Sequence, residues 1–133
     1  MNCELCAATA GEILFENSKL RVVLADEAGY PGFCRVIWRE HIKEMTDLSA
    51  DDARLLFDWV LRTERALRDV MRPEKINLAT LGNMVPHLHW HVIPRFADDP
   101  HFPAPVWAAP RREPALRDTA GLAGRLRAHL QGD

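Results

Sequence analysis

Apolar and polar residues alternate along this chain with two different periods, and the change of period separates strands from helices. Short runs rich in apolar and β-branched residues, bounded by turn-forming residues, are typical of strands. The segments of this kind are 12–16, 19–25, 33–39, 75–80 and 87–94. A tight turn at Gly82-Asn83 is expected to join the last two of them.

The segment 50–72 shows the helical period instead. Ser49 is a suitable N-cap, and Asp51 and Asp52 lie in the first turn, where the helix dipole favours acidic residues. Pro73 ends the helix because proline lacks an N–H and restricts the residue before it. The residues that form one apolar stripe are Leu56, Trp59, Val60, Thr63, Leu67, Val70 and Met71.

The order of the predicted elements indicates the fold class. Prolines make 100–114 an extended segment, and leucines at 122, 126 and 130 predict a short C-terminal helix. Strands, a long helix, further strands and a tail are typical of an α+β fold with an antiparallel sheet of about five strands. The length of 133 residues suits a single domain over 1–133, with its core at about 3–96 and a proline-rich tail and helix over 97–133.

Charge and composition exclude some classes of function. The formal net charge is −2, which argues against binding of a nucleic-acid polymer but not against a small anionic substrate. No apolar run approaches the length of roughly 20 residues that a membrane span needs. The N-terminus shows no signal-peptide pattern, so we expect a cytoplasmic protein with no membrane association, whose three cysteines are reduced.

The most informative segment places a histidine at every second position, at His87, His89 and His91. Strand side chains alternate between two faces, so the three imidazoles are expected on one face and the apolar residues between them on the other. Three imidazoles on one wall can surround a phosphate. Two alternatives stay open at this point, which are a catalytic metal site ligated by all three histidines and a set of polar histidines without a chemical role.

The run from His87 to Ile93 resembles the His-x-His-x-His-x-x signature, with apolar residues at x, of the histidine-triad (HIT) family. The segments 82–85 and 36–41 resemble the family's motifs before the triad and at the end of a preceding strand. Asn77 and Asp26 lie near the positions of two further residues that are typical of the family. The resemblance covers about 3–96 and implies the HIT-like fold.

The resemblance also implies an enzyme that acts on small nucleotides. By position, His89 attacks the α-phosphate of a nucleoside anhydride, ester or phosphoramidate and forms a nucleotidyl-histidine, which water or another acceptor then resolves. His91 is implied to hydrogen-bond the phosphoryl oxygens and to help protonate the leaving group. Asp26 is implied to bind the ribose hydroxyls, and Asn77 and Asn83 to contact the substrate. The resemblance also implies that this chemical step requires no cofactor.

Several residues depart from the family pattern. Met84 stands where many relatives have serine or threonine near the leaving group, and Asn83 stands where some have glutamine. Trp38 replaces the usual proline, and the stretch from Asn77 to Gly82 is short. These departures leave the nucleophile in place, but they leave open the leaving group and the choice between hydrolase and transferase.

A second motif, Cys3-x-x-Cys6, lies at the N-terminus. Alone it fits a redox pair, half of a zinc site or a coincidence. The resemblance adds His41 and His87 as the other two ligands, which gives a closed Cys₂His₂ site for a structural Zn²⁺. The alternative is that both histidines are metal-free polar residues and that the thiols have no role.

The resemblance implies one partner, a second copy of the chain, because family members usually form homodimers. A nucleotide-binding or interaction module with little turnover is the main alternative function, and it predicts tight binding without a covalent intermediate. The presence of His89 argues against that alternative. Trp107, in the proline-rich tail, is expected either to cover the base or a partner subunit or simply to pack.

Overall fold

The computed structural model of the protein describes residues 3–7 and 11–132. In chain order its helices are α1 (Glu4–Ala7), α2 (Ala50–Met71) and α3 (Leu122–Gln131), and a short 3₁₀ turn spans Met45–Asp47. Its strands are β1 (Glu12–Glu16), β2 (Leu20–Leu24), β3 (Cys34–Trp38), β4 (Lys75–Ala79) and β5 (His89–Arg95).

The strands form one antiparallel sheet in the order β1-β2-β3-β5-β4. The predicted α+β class is confirmed, including the sheet of five strands, the long helix and the C-terminal helix. Strand β5 lies between β3 and β4, so the residues of the triad segment stand near the middle of the sheet. On one side of it Val36 is opposite Trp90, and on the other Asn77 is opposite Ile93.

One face of the sheet forms the main core against α2 and α3. Leu88 and Val92 are buried in this core and Trp90 packs against it, as the alternation around the histidines predicts. The helix residues buried with them are Leu56, Trp59, Val60, Ala66, Leu67, Leu122, Leu126 and Leu130. His89 and His91, which alternate with these apolar residues on β5, therefore face the other side of the sheet.

The ends of α2 follow the predicted signals closely. The Ser49 hydroxyl accepts a hydrogen bond from the Asp52 N–H at 3.1 Å, which satisfies one free donor of the first turn. The helix ends at Met71, and Arg72 adopts the left-handed conformation as its C-cap, one residue before Pro73. Within the described residues, no helix is both long and apolar enough to cross a bilayer.

The prediction of a tight Gly82-Asn83 turn and of a strand starting at residue 87 is wrong. Residues 80–88 form a loop, and β5 begins at His89. The His87 N–H donates to the Val85 carbonyl at 2.8 Å, and its ring Nε2 lies within hydrogen-bond distance of the Trp38 carbonyl. These contacts turn His87 out of the sheet, so a long-range interaction sets the start of the strand.

A buried ion pair fixes the chain after β5. Arg95 and Asp99 are both buried, and Nε of the arginine lies 2.8 Å from a carboxylate oxygen of Asp99. Burial alone would raise the pKa of Asp99, but Arg95 and three backbone N–H groups lower it to about 2. Arg95 also donates to the Ala104 carbonyl at 2.7 Å. The following segment is thereby folded back, which brings Trp107 against His91.

Candidate active site and metal-binding cluster

The face of the sheet that carries the histidines holds a pocket of about 480 Å³, a size typical of small-molecule sites. His89 and His91 of β5 and Arg35 of β3 come from the sheet. The other lining residues come from α1, from the loop before β5 and from the tail: Glu4, Leu5, Leu81, Gly82, Asn83, Met84, Val85 and Trp107.

The backbone sets the tautomer of His89. Its ring Nδ1 lies 2.6 Å from the carbonyl oxygen of His87. Because a carbonyl only accepts hydrogen bonds, Nδ1 carries the proton and Nε2 keeps a free lone pair when the ring is neutral. Burial lowers the pKa of His89, the hydrogen bond to the His87 carbonyl offsets part of this effect, and the charges of Arg35 and His87 add to the lowering, so the net shift is downward. At neutral pH His89 is therefore a neutral imidazole with an unprotonated Nε2.

His91 lies beside His89, with the ring centroids 4.9 Å apart and the planes at 84°. Its ring also meets the edges or faces of Phe33 and Trp107 at 5.5 and 5.4 Å. Burial first, and then the charges of His89 and Arg35, lower the pKa of His91 to about 4. Its buried Nδ1 makes no hydrogen bond to the part of the chain that the structure describes, so no protein group fixes its tautomer.

His87 belongs to a separate cluster with Cys3, Cys6 and His41. Its Nε2 is paired with the Trp38 carbonyl, so the proton lies on Nε2 and the Nδ1 lone pair faces the two thiols. Nδ1 of His87 lies 3.4 Å from Sγ of Cys3, 3.3 Å from Sγ of Cys6 and 3.2 Å from Nδ1 of His41.

These distances match those between the ligands of a tetrahedral metal site. Bonds of about 2.0–2.3 Å to zinc place the donor atoms about 3.3–3.8 Å apart. The Cys6 sulfur also lies 3.2 Å from His41 Nδ1, and all four donor atoms lie within 4.8 Å of one another. Among the described residues this is the one such group, and it excludes His89 and His91. The geometry therefore argues against a metal site ligated by all three triad histidines.

Comparison with known proteins decides the family, because the HIT domain model matches residues 8–98. The protein belongs to the HIT family. It is 32% identical over 117 residues to "Protein hit" of Bacillus subtilis, covering 80% of this chain and 79% of that protein. It is 30% identical over 98 residues to the "AP-4-A phosphorylase" of Mycobacterium tuberculosis, covering 69% of this chain and 50% of that protein.

Solved structures agree with this assignment. A histidine-triad protein from Marinobacter aquaeolei superposes with a TM-score of 0.79 at 26% identity, covering 99% of this chain and 96% of that one. A Zn-bound histidine-triad protein from Mycobacterium smegmatis has the same fold, with a TM-score of 0.69 at 22% identity over 99% and 95% of the two chains. Family membership supports a nucleotide hydrolase or transferase in general terms.

The structure brings together some of the HIT residues that the sequence indicates and leaves others apart. Asn83 lines the same pocket as His89 and His91. Asn77 on β4 does not line it, and its side-chain oxygen accepts a hydrogen bond from Arg95 at 2.7 Å. Asp26 is exposed after β2 and lines a different cavity of about 560 Å³, to which the start of α3 contributes.

Sequence reasoning missed one pocket residue of this HIT protein, Arg35, and left the position of a second, Trp107, open. Arg35 is a charged residue inside the apolar strand β3, between buried Cys34 and Val36, and such a residue must face a polar surface or a ligand. Trp107 is 55% exposed although it is a large aromatic residue. Its position depends on the folding of the tail, for which local sequence gives no period.

His91 is expected to make the protein less stable in mild acid. Its pKa is lowered to about 4 in the folded protein, so the unfolded chain binds more protons between about pH 4 and 6.5. This contribution to stability is fully present above about pH 6.5 and is lost as the pH falls through the folded value. Melting temperatures at about pH 7.5 and about pH 5 should therefore differ less in His91→Gln than in the wild type. Equal acid sensitivity in the two proteins would contradict this assignment.

Proposed function

We propose that this HIT protein is a nucleotidyl hydrolase or transferase in which His89 attacks the α-phosphate of a nucleoside phosphoanhydride, ester or phosphoramidate. The observation that supports it most directly is the hydrogen bond from Nδ1 of His89 to the His87 carbonyl. This bond leaves Nε2 as an unprotonated nucleophile at the pocket that His89 lines. The family and the relative named "AP-4-A phosphorylase" support the same general chemistry.

The proposed reaction has two displacements at phosphorus. In the first, Nε2 of His89 forms a bond to phosphorus while the bond to the leaving group breaks, and the leaving group departs with that electron pair. In the second, the oxygen of water or of another acceptor bonds to phosphorus, and His89 leaves as a neutral imidazole. The acceptor loses its proton to solvent or to His91 in that step.

His91 and Asn83 are the proposed partners of His89 in this pocket. His91 is neutral in the free protein because its pKa is lowered to about 4. An anionic phosphoryl group beside the ring favours the protonated form, so His91 would take a proton from solvent when the substrate binds and give that proton to the leaving group. The Asn83 amide can donate to a phosphate or ribose oxygen. Neither Asp26 nor Asn77 lines this pocket. Their roles in substrate binding stay predictions from the resemblance.

We further propose that Cys3, Cys6, His41 and His87 hold a structural Zn²⁺, for which the spacing and chemistry of the donors are suitable. Four protein donors complete a tetrahedral shell, so such an ion would fasten α1 to the start of β5 and take no part in the chemical step. Glu4 and Leu5 lie between the two cysteines and line the pocket, so this cluster would also fix one pocket wall.

A homodimer is a proposal that comes from the resemblance to the family, whereas a cytoplasmic location and a single domain over residues 1–133 are proposals that come from the sequence pattern and the chain length. Two features are consistent with self-association. Strand β4 is an edge of the sheet, and Phe57 and Leu61 are partly exposed apolar residues on α2. Light scattering of the purified protein would test the dimer, and a monomeric mass at micromolar concentration would contradict it.

The proposed mechanism can be tested by trapping the intermediate. The protein would be mixed with adenosine nucleotides that carry phosphate, amine and nucleotide leaving groups, and then quenched at alkaline pH to protect a phosphorus–nitrogen bond. Intact mass should increase by one adenylyl group, and peptide mapping should place it on His89. An adduct on any other residue, or turnover without an adduct on a rapid-quench timescale, would overturn the proposal. Tight nucleotide binding without turnover would instead favour the binding module.

A further inference from the structure

Arg35 occupies a central position beside the candidate nucleophile. In the antiparallel register it stands directly opposite His91, while its neighbour Ile37 stands opposite His89. Directly opposite residues of an antiparallel pair share one face of the sheet. Arg35 therefore extends from the face that carries both histidines, and it is the one lysine or arginine among the described residues that line the pocket.

The guanidinium is held in place but keeps free donors. One terminal nitrogen of Arg35 lies 2.9 Å from a carboxylate oxygen of Glu27, and the guanidinium carbon lies 5.2 Å from the centre of the Phe33 ring. Its side chain is 19% exposed. Since a guanidinium has five N–H donors in a planar fork, the ion pair with Glu27 leaves donors available for an anion.

The rest of the pocket offers few donors for a phosphoryl group. Leu81, Met84 and Trp107 are each more than half exposed, and they present apolar surface to the pocket. The Met84 side chain has no hydroxyl or amide with which to bind a phosphate oxygen. Glu4, the carboxylate in the lining, would repel a phosphate. Arg35 is therefore the one side chain in the described lining that carries a positive charge before an anion binds, and it adds to the donors that His91 and Asn83 supply.

We propose that Arg35 binds the anionic oxygens of the phosphoryl group that His89 attacks, and that it is a catalytic residue of this enzyme. This inference rests on the proposed function and names the group that holds the reacting phosphate. Arginine suits the role because its fork makes charge-assisted hydrogen bonds to phosphate oxygens. As negative charge builds on those oxygens during the displacement, Arg35 would stabilise the transition state as well as the bound substrate.

The first test is a comparison of two probes that differ only in the phosphate. Binding of AMP and of adenosine would be measured by calorimetry at low ionic strength for wild type, Arg35→Met and Arg35→Lys. Loss of a charge-assisted contact of this kind should weaken AMP binding about 10- to 100-fold in Arg35→Met and leave adenosine binding unchanged. Arg35→Lys keeps the charge but loses the fork, so its AMP affinity should be intermediate.

Arg39→Met is the matched control. Arg39 follows the end of the same strand and forms an ion pair with Glu16 at 3.0 Å, but it does not line the pocket. This variant loses the same charge and a similar ion pair, so AMP binding should stay within about two-fold of wild type. An equal loss of AMP affinity in the Arg35 and Arg39 variants would show a general effect of net charge and overturn the role of Arg35.

The outcomes separate this inference from the proposed function. If His89 forms a covalent adduct but Arg35→Met binds AMP as tightly as wild type, the role of Arg35 is overturned, whereas the role of His89 as nucleophile stands. AMP binding that depends on Arg35, without any adduct, would overturn the proposed mechanism and leave Arg35 as a phosphate-binding residue. Wild type that binds AMP no more tightly than adenosine would also overturn the inference. If Arg35→Met fails to fold, the test rests on Arg35→Lys. An AMP affinity equal to that of wild type in Arg35→Lys would then overturn the proposed role of Arg35.

Discussion

Replacing His89 with alanine is expected to lower kcat/KM by about four orders of magnitude or more, since the variant lacks the group that we propose bonds to phosphorus. The measurement is steady-state turnover of the nucleotide that gives the fastest adduct in the trapping experiment. The Arg35 and Asn83 side chains remain, so binding of AMP should persist. Loss of turnover with retained binding is the signature of a missing nucleophile rather than of a damaged pocket.

The control for this experiment is His129→Ala. His129 lies on α3, where it pairs with Asp69 at 2.9 Å and takes no part in the pocket. Its removal should leave kcat/KM within about two-fold of wild type. If His89→Ala kept turnover within ten-fold of wild type while remaining folded, another nucleophile would have to act, and the proposed mechanism would be wrong.

Replacing Cys6 with serine is expected to lower the melting temperature by about 10 °C, because a structural zinc site contributes directly to folding. The side chain of Cys6 is exposed, so loss of its sulfur alone should change the stability little. A larger effect therefore reports loss of a bound ion. The measurements are metal content by mass spectrometry and thermal unfolding with and without a chelator.

Cys34→Ala provides the control for a lost thiol. Cys34 is fully buried in the core, and burial raises its pKa to about 12, so it stays a neutral thiol and has no part in the cluster. This variant should keep the wild-type zinc content. Its melting temperature should fall only modestly, because the core is packed less well. A wild type that carries no zinc and melts at the same temperature with or without chelator would falsify the metal proposal.

Local sequence patterns were sufficient to predict most of the fold. The apolar stripe of α2, its Ser49 cap and the stop before Pro73 depend on residues close together in the chain, so they could be predicted from spacing alone. The loop over 80–88 could not. Its course depends on His87, which contacts Trp38 and the N-terminal cysteines far away in the sequence.

The residues of the candidate site also fall into those that local sequence or the family resemblance indicates and those that only the tertiary fold brings together. The proximity of His89 and His91 could be predicted because their signature is contiguous, and the grouping of the two cysteines with His41 and His87 could be predicted because the resemblance supplied the two histidines. Arg35 could not be assigned to the site, since only the register between β3 and β5 places it opposite His91. Trp107 reaches the pocket through the buried ion pair after β5, a tertiary interaction that no local pattern encodes.

The acceptor that orients His89 is a peptide carbonyl rather than a side chain. Many enzymes orient a catalytic histidine with a carboxylate, and one point mutation can remove that group. Every amino acid retains the carbonyl, so a substitution at residue 87 does not remove the acceptor itself. The acceptor would instead be displaced if the loop that His87 anchors to the Trp38 carbonyl shifted, so the orientation of His89 depends on the fold of residues 80–88 rather than on a carboxylate side chain.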